Sequence, residues 1–271
     1  MKSLIAGASI SFGHGLSQEK LDVKLWANRL LKNIDNCDIS DIENVSITGD
    51  DNFQIFKKAS IKLMKEDYKS VIVCWQDIPR TNYFFGLETY HTRFAIISSQ
   101  TPHDIKLVNN ICIPKSQLIN MQKNIIAHYN HHWDLSNLVF YVNSLIHVAE
   151  QKKSKIRFVN YDLPWNSYKF FDKVAWKTPD KLDPFTRYVL QSEVRDDVES
   201  NEIYQMIHND YANLGGIQEK YWLNLYDPLR RKQTDNVSSD DKHPGYQSQD
   251  MFTDFLTQCY SESLTINKKP I

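Results

Sequence analysis

The stretch that decides the fold is SLIAGASISFGHG, residues 3–15. Ser3 to Ala6 is a short run that ends at Gly7, which is typical of a buried strand followed by a tight turn. Beyond this glycine-rich loop, apolar residues recur at helical spacing: Leu21, Leu25, Trp26, Leu30 and Ile34. They predict an amphipathic helix over one face of a sheet, so the chain opens with strand, loop and helix.

The same alternation continues along the chain. Val45 to Ile47 predict the end of a second strand, and Val71 to Trp75 form the continuous apolar run of a central parallel strand. After Asn52, the spacing of Ile55, Ala59 and Leu63 predicts a helix. A second helix is predicted from the spacing of Leu138, Val142, Leu145 and Ala149, and a strand follows it at Ile156 to Tyr161. Strands that alternate with helices predict a three-layer α/β domain.

The chain of 271 residues, 41% of them hydrophobic, is long enough for one large domain, and we predict a single domain over 1–271. Two stretches fit the alternation poorly, about 79–114 and about 163–239. The second is aromatic-rich and precedes the C-terminal helix. Insertions of this kind tend to emerge near the carboxyl ends of strands, so it is interpreted as a cap or partner surface.

The composition disfavours several classes of partner. A formal net charge of -1, from 32 basic and 33 acidic residues, gives no field that would attract nucleic acid or an anionic membrane. The four cysteines form no CxxC pair, which indicates a reduced, intracellular-type chain. The apolar run after Lys2 is too short for a signal peptide, and no segment reaches transmembrane length. We therefore expect a soluble, cytoplasmic protein.

Ser9 is the residue of the first turn that could do chemistry. The spacing from Gly7 to Gly13 does not match a GxxxxGK[ST] phosphate loop, and neither GxGxxG nor GxSxG is present. Phosphate or nucleotide binding is therefore disfavoured. A serine in a glycine-flanked turn after a strand can project into the crevice at the strand end, where backbone N–H groups serve as oxyanion donors. The alternative is a tight connection in which Ser9 or Ser11 only caps the backbone.

The C-terminal sequence Asp240-Asp241-Lys242-His243-Pro244 precedes the last helical pattern. A carboxylate three positions before a histidine can accept the Nδ1 proton and leave Nε2 directed at a serine. This spacing indicates Asp240 and His243 as the orienting half of a catalytic triad. The alternative is that Asp240 or Asp241 caps the helix and His243 is exposed.

In this order, the motifs resemble those of the SGNH (GDSL-type) hydrolase superfamily, and the variants are similar to those of phage-encoded members. Gly7-Ala8-Ser9 corresponds to the G-D-S block, Gly49 to Asn52 with Ile55 to the second block, Cys74 to Asp77 to the G-x-N-D block, and Asp240 to His243 to the D-x-x-H block. The resemblance implies a flavodoxin-like α/β/α fold with a parallel sheet.

The resemblance also implies roles for individual residues. Ser9 would be the nucleophile, with Asp240 and His243 completing the triad. The N–H groups of Ser9 and Gly49 and the amide of Gln76 would form the oxyanion hole. Ala8, Asp51 and Gln76 depart from the family pattern, and Gln76 matters most because it is one methylene longer than the family's asparagine.

Three residues near these motifs are candidates for substrate binding: Asn52, Asp77 and Arg80. Arg80 could bind an anionic group of a substrate or form a surface ion pair. His131-His132-Trp133-Asp134 could ligate a divalent metal, but adjacent histidines usually diverge, so we predict neither a metal nor a cofactor.

The function predicted is hydrolysis of an ester, with a carbohydrate O-acetyl group as the substrate and a small molecule or glycan as the partner. The alternative is an SGNH-like binding or virion structural protein with reduced catalysis. The candidate partners of such a protein are virion components or further copies of the chain. If the chain is phage-encoded, we expect it in the host cytoplasm or in a virion.

Overall fold

The computed structural model describes residues 1–17, 23–76, 82–85, 92–95, 105–106, 112–113, 116, 131–161, 219–224, 227–241 and 243–266. The chain divides into two compact units. The first comprises Met1–Asp77, Leu138–Leu163 and Asn213–Ile271, and the second comprises Ile78–Asn137 and Pro164–Ala212. The second unit thus draws on both stretches that fit the strand and helix alternation poorly.

The first unit contains a parallel sheet of four strands in the order β2-β1-β3-β8. The strands are β1 (Ser3–Ala6), β2 (Ile42–Asn44), β3 (Ser70–Trp75) and β8 (Lys155–Asn160). All of their pairings are parallel, with Ser3 aligned to Ile42 on one side and to Ser70 on the other. Every residue of β3 is buried, as predicted for a strand covered on both faces.

Five helices lie in the described parts of the chain. They are α1 (Ser9–Phe12), α2 (Trp26–Asp35), α3 (Asn52–Lys65), α4 (His131–Gln151) and α5 (Tyr246–Ile266). Short 3-10 turns lie at Ile39–Asp41, Glu219–Tyr221 and Leu229–Lys232. No helix in the described part of the chain has the length and apolarity needed to cross a membrane.

One face of the sheet is covered by α2 and α5. Their side chains form one buried cluster with strand residues: Trp26, Leu30, Leu31, Phe252 and Leu256 against Ile5, Ile72, Cys74 and Val159. Since successive strand residues point to opposite faces, Leu4, Val71 and Val73 face the other layer. There α3 buries Ile55, Ala59 and Leu63, and its Phe56 ring stacks on Tyr141 of α4 with centroids 4.6 Å apart. The predicted three-layer α/β/α fold is confirmed.

The second strand ends at Asn44, before Val45 to Ile47, where the sequence predicts its end. The Asn44 side chain bonds the backbone here: its Nδ2 donates to Ser11 O at 2.7 Å, and its Oδ1 accepts from Ser46 N at 3.0 Å. The N–H groups of Val45 and Ile47 still donate to Ile5 O and Gly7 O, at 2.9 and 3.3 Å. The segment therefore follows β1 as far as the turn at Gly7.

The described residues of the second unit include two antiparallel strand pairs, which the sequence did not predict. Strand β4 (Asn82–Phe85) pairs with β5 (Thr92–Ala95), and β6 (Ile105–Lys106) pairs with β7 (Cys112–Ile113). Most of the predicted aromatic insertion lies outside the described residues.

A buried ion pair links α2 to the sheet. Arg157 donates from both terminal nitrogens to the carboxylate of Asp35, at 2.6 and 3.1 Å, and Ser70 Oγ donates to the same group at 2.8 Å. Burial acts to raise the pKa of Asp35, but the hydrogen bonds and charge of Arg157 outweigh it and hold this pKa below its usual range. The guanidinium also lies over the ring of Tyr260, 4.9 Å from its centroid, so the pair reaches α5.

We expect Asp35→Asn to lower the free energy of unfolding at pH 7 by about 3 kcal/mol, because it leaves Arg157 buried without its countercharge. The Asp35 pKa is lowered by folding, so the ionised form stabilises the fold above the unfolded-state value of about 3.9. The difference between wild type and variant should shrink as pH falls below that value. Urea unfolding at pH 7 and pH 3 measures both effects.

Asp38→Asn is the matched control, since Asp38 is exposed and a substitution there should change the stability by no more than about 0.5 kcal/mol. Equal stability of wild type and Asp35→Asn at pH 7 would contradict a stabilising pair.

Candidate active site

Ser9 lies where the sheet changes its winding direction. From β1 the chain passes to β2 on one side, and β3 then pairs with β1 on the other side. In open α/β sheets, ligands bind in the crevice at the carboxyl ends of the strands at such a switch point. Ser9 lies three residues after the end of β1, and Gln76 directly follows β3, so both residues lie at the edge of the sheet where such a crevice is expected.

The turn around Ser9 is built from close backbone packing. Ser9 begins α1, is nearly buried, and accepts hydrogen bonds on its carbonyl oxygen from Gly13 N and His14 N, both at 3.0 Å. A Cβ on Gly7 would lie 2.5 Å from Ser11 Oγ, so only glycine lets Ser11 pack beneath the turn. Ser11 is therefore the structural serine of this segment, which leaves Ser9 as the candidate nucleophile.

Cys74 is not a competing nucleophile. Its side chain is fully buried on β3, and burial raises the pKa of its thiol to about 12. A thiol with such a pKa carries almost no thiolate at neutral pH.

Gly49 and Gln76, the other predicted oxyanion donors, follow the two strands that flank β1. Gly49 lies in the turn after β2 with φ of 89°. The backbone of Gln76 is held by Asn52, whose Oδ1 accepts from Gln76 N at 2.9 Å and whose Nδ2 donates to Gln76 O at 3.1 Å. Both ends of the Asn52 amide thus brace the backbone of Gln76, and the substrate contact that the sequence suggests for Asn52 stays a prediction.

Asp51, which departs from the family pattern, has a structural role. Its Oδ1 accepts from Gln54 N at 2.8 Å and so caps the start of α3. A side-chain cap satisfies one of the free N–H groups in the first turn of a helix. The two remaining candidates, Asp77 and Arg80, lie outside the described residues.

The C-terminal loop before α5 is closed on itself. Val237 N donates to His243 O at 2.8 Å, and Asn236 forms an isolated bridge with Pro244. At its base, the carboxylate of Asp235 accepts from Gln247 N at 3.1 Å and Ser248 N at 2.6 Å. The loop is therefore fixed to the first turn of α5 and carries Asp241 and His243 near its tip.

His243 is hydrogen-bonded to Asp241 and not to Asp240. Asp241 Oδ1 lies 2.5 Å from His243 Nδ1 and also accepts from His243 N at 3.0 Å. An aspartate that bonds the backbone two residues ahead forms an Asx turn, and this local geometry selects the nearer carboxylate. Asp240 is exposed, and its Oδ1 accepts from Ser239 Oγ at 3.3 Å. The predicted D-x-x-H pairing is thus replaced by D-x-H.

The same contacts keep Asp241 ionised. The hydrogen bond from His243 N is the largest cause that lowers the pKa of Asp241, and burial opposes it. The side-chain hydrogen bond and charge of His243 and the charge of His14 act in the same direction as the backbone bond.

His14 is a member of the site that the sequence analysis missed. Its Nε2 lies 3.6 Å from Asp241 Oδ2, its ring centroid is 4.3 Å from that of His243, and its Nδ1 is 3.3 Å from Thr48 Oγ1. Gly15 has φ of 77°, and a Cβ there would be 2.7 Å from Val237. Glycines on both sides of His14 were the available signal, because they permit a turn that another loop can approach closely.

The turn after β1 and the loop before α5 therefore lie side by side. The hydroxyl of Tyr246 accepts from Ser17 N at 3.1 Å, in addition to the contacts of His14 with Asp241 and His243. Within the described residues, no hydrogen bond joins Ser9 Oγ to His243. His243 thus lies beside the turn that begins at Ser9, but it is not hydrogen-bonded to the Ser9 hydroxyl.

The sequence matches no protein-family model and no curated protein. Among the solved structures that are similar to the chain, two match it over nearly their full length. One, the crystal structure of TesA, has a TM-score of 0.48 and 13% identity, with 97% of this chain and 99% of that chain covered. The other is a psychrotrophic esterase, EstA from Pseudoalteromonas sp., inhibited by monoethylphosphonate, with a TM-score of 0.45 and 11% identity over 97% and 98%. At such values, function has to be argued from the geometry of this chain.

Proposed function

We propose that the protein is a serine hydrolase that cleaves esters, with Ser9 as nucleophile, His243 as general base and Asp241 as the residue that orients His243. The observation that carries this proposal is the Asp241–His243 hydrogen bond of 2.5 Å on a loop packed against the turn of Ser9. Binding of Nδ1 by a carboxylate fixes the tautomer and leaves Nε2 to take a proton.

The reaction proceeds through an acyl-enzyme. Ser9 Oγ attacks the ester carbonyl carbon while its proton passes to His243 Nε2, and His243 then returns that proton to the departing alcohol. Water attacks the acyl-enzyme next, with His243 accepting one proton and delivering it to Ser9 Oγ as the acid leaves. Asp241 stabilises the imidazolium formed in both steps.

Support for an oxyanion hole comes from the order of the strands. The N–H groups of Ser9 and Gly49 and the amide of Gln76 belong to turns that follow three adjacent strands, β1, β2 and β3. Donors placed in advance around the developing negative charge are usually the largest single contribution to such catalysis. The Asn52 brace supports this arrangement because it fixes the backbone from which the Gln76 side chain extends.

The substrate we propose is an O-acetyl ester of a carbohydrate. This part rests on the resemblance of the sequence motifs, and it is tested separately by comparing acetylated sugars with simple acetyl and butyryl esters. Hydrolysis of simple esters but of no acetylated sugar would contradict the carbohydrate substrate and leave the proposed ester hydrolysis standing.

A second candidate function is an SGNH-like binding or virion structural protein. The missing hydrogen bond between Ser9 and His243 favours it, as does Gln76 in place of an asparagine. Absence of hydrolysis across an ester panel, together with recovery of the chain in assembled particles, would support this candidate and contradict the first.

We expect Ser9→Ala to lower kcat for a simple acetyl ester by at least about 10³-fold, because the nucleophile is lost. Steady-state hydrolysis measures the effect, and Ser11→Ala is the matched control because Ser11 packs beneath the turn. Activity that survives in Ser9→Ala, or that Ser11→Ala abolishes equally without unfolding, would contradict the assignment.

Two aspartates on one loop give a sharper test. We expect Asp241→Asn to lower kcat by about 10³- to 10⁴-fold, since an amide at His243 Nδ1 favours the wrong tautomer. Asp240→Asn should change the rate by less than about threefold, as for an ordinary exposed position. A larger loss of kcat in Asp240→Asn than in Asp241→Asn would support the D-x-x-H pairing and contradict the role of Asp241.

We expect Gln76→Met to lower kcat by about 10²-fold with little change in KM, because methionine keeps the side-chain length but removes the amide donor. Thermal unfolding of the variant shows whether the fold is retained. An unchanged kcat in a folded Gln76→Met protein would exclude Gln76 from the oxyanion hole.

A further inference from the structure

A carboxylate and two imidazoles meet beside the turn of Ser9. His14 Nε2 is 3.6 Å from Asp241 Oδ2, His243 Nδ1 is 2.5 Å from Asp241 Oδ1, and one ligand atom from each residue lies within 4.8 Å of the others. We propose that His14, Asp241 and His243 bind Zn²⁺ reversibly, and that the bound ion inhibits the hydrolysis proposed above.

The three groups suit zinc in type, and their ligand atoms are close enough to converge on one ion. Zinc is bound tetrahedrally by imidazole nitrogen and carboxylate oxygen at about 2.0–2.2 Å, which places neighbouring ligand atoms about 3.3 Å apart. The separation of 3.6 Å between His14 Nε2 and Asp241 Oδ2 is close to that value, whereas the 2.5 Å between His243 Nδ1 and Asp241 Oδ1 widens when the ion replaces the shared proton. Three protein ligands leave the fourth position to water. Mg²⁺ prefers oxygen ligands, so the set selects against it.

His14 also has the outer contact that metal-binding histidines usually make. A ligating imidazole typically donates its second N–H to an oxygen, which fixes the tautomer and the ring orientation. His14 Nδ1 lies 3.3 Å from Thr48 Oγ1, which leaves Nε2 on the side of Asp241. All three side chains are partly exposed, so an ion can enter from solvent.

Zinc at this position removes the base of the proposed reaction. The ion replaces the proton between His243 Nδ1 and Asp241, and a neutral imidazole bound through Nδ1 carries its proton on Nε2. That nitrogen can no longer accept the proton of Ser9. The inhibition rests on the proposed function, whereas zinc binding does not.

Calorimetric titration of metal-free protein with ZnCl₂ tests the binding. We expect wild type and His147→Gln to bind alike, because His147 lies on α4 and contacts Gln151. His14→Gln should bind at least about tenfold more weakly, and Thr48→Val about tenfold more weakly through loss of the outer contact. No binding to wild type, equal binding to His14→Gln, or equal binding of Mg²⁺ would overturn the site.

Ester hydrolysis with added ZnCl₂ tests the inhibition, with each variant compared with its own zinc-free rate. Wild type and His147→Gln should be inhibited and recover when EDTA is added, and His14→Gln should need at least about tenfold more zinc. Zinc that binds through His14 without slowing hydrolysis overturns the inhibition. If no ester is hydrolysed, the proposed function is contradicted, but calorimetry still tests whether the three residues bind zinc.

Discussion

Parallel pairing of β1 with both β2 and β3 is the constraint on which the site depends. The chain leaves β1 toward one neighbour and returns on the other side, so the carboxyl ends of three strands meet at one edge of the sheet. A residue with a candidate role lies in the segment after each of these strands: Ser9 after β1, Gly49 after β2 and Gln76 after β3. Because β3 is buried throughout, a site open to substrate has to lie beyond its carboxyl end.

The second half of the site arrives from the far end of the sequence. Asp235 holds the loop of Asp241 and His243 on the first turn of α5, and α5 packs with α2 over the sheet. One carboxylate then contacts two imidazoles, with Oδ1 near His243 and Oδ2 near His14. The arrangement that orients a general base also gathers ligands for a metal, so the two proposals compete for the same nitrogen, His243 Nδ1.

The sequence predicts the framework well because periodicity reports burial directly. The central strand, the helix after Asn52 and the last helix follow from their apolar positions, and the three-layer fold follows from their alternation. Local hydrogen bonds account for the differences. The side chain of Asn44 bonds Ser11 O and Ser46 N where the second strand ends. An Asx turn joins Asp241 to His243 where spacing alone suggests Asp240. His14 was missed because its partners are more than 200 residues away in the sequence, apart from Thr48.

The central claim is that Ser9 is the activated nucleophile of this crevice. Treating the folded protein with a fluorophosphonate and locating the adduct by peptide mass spectrometry tests this most directly. The account predicts one adduct on Ser9, formed in the folded wild type, strongly reduced in Asp241→Asn and absent after denaturation. No adduct on Ser9 in the folded protein, or equal labelling of Ser9 and other serines, would contradict it.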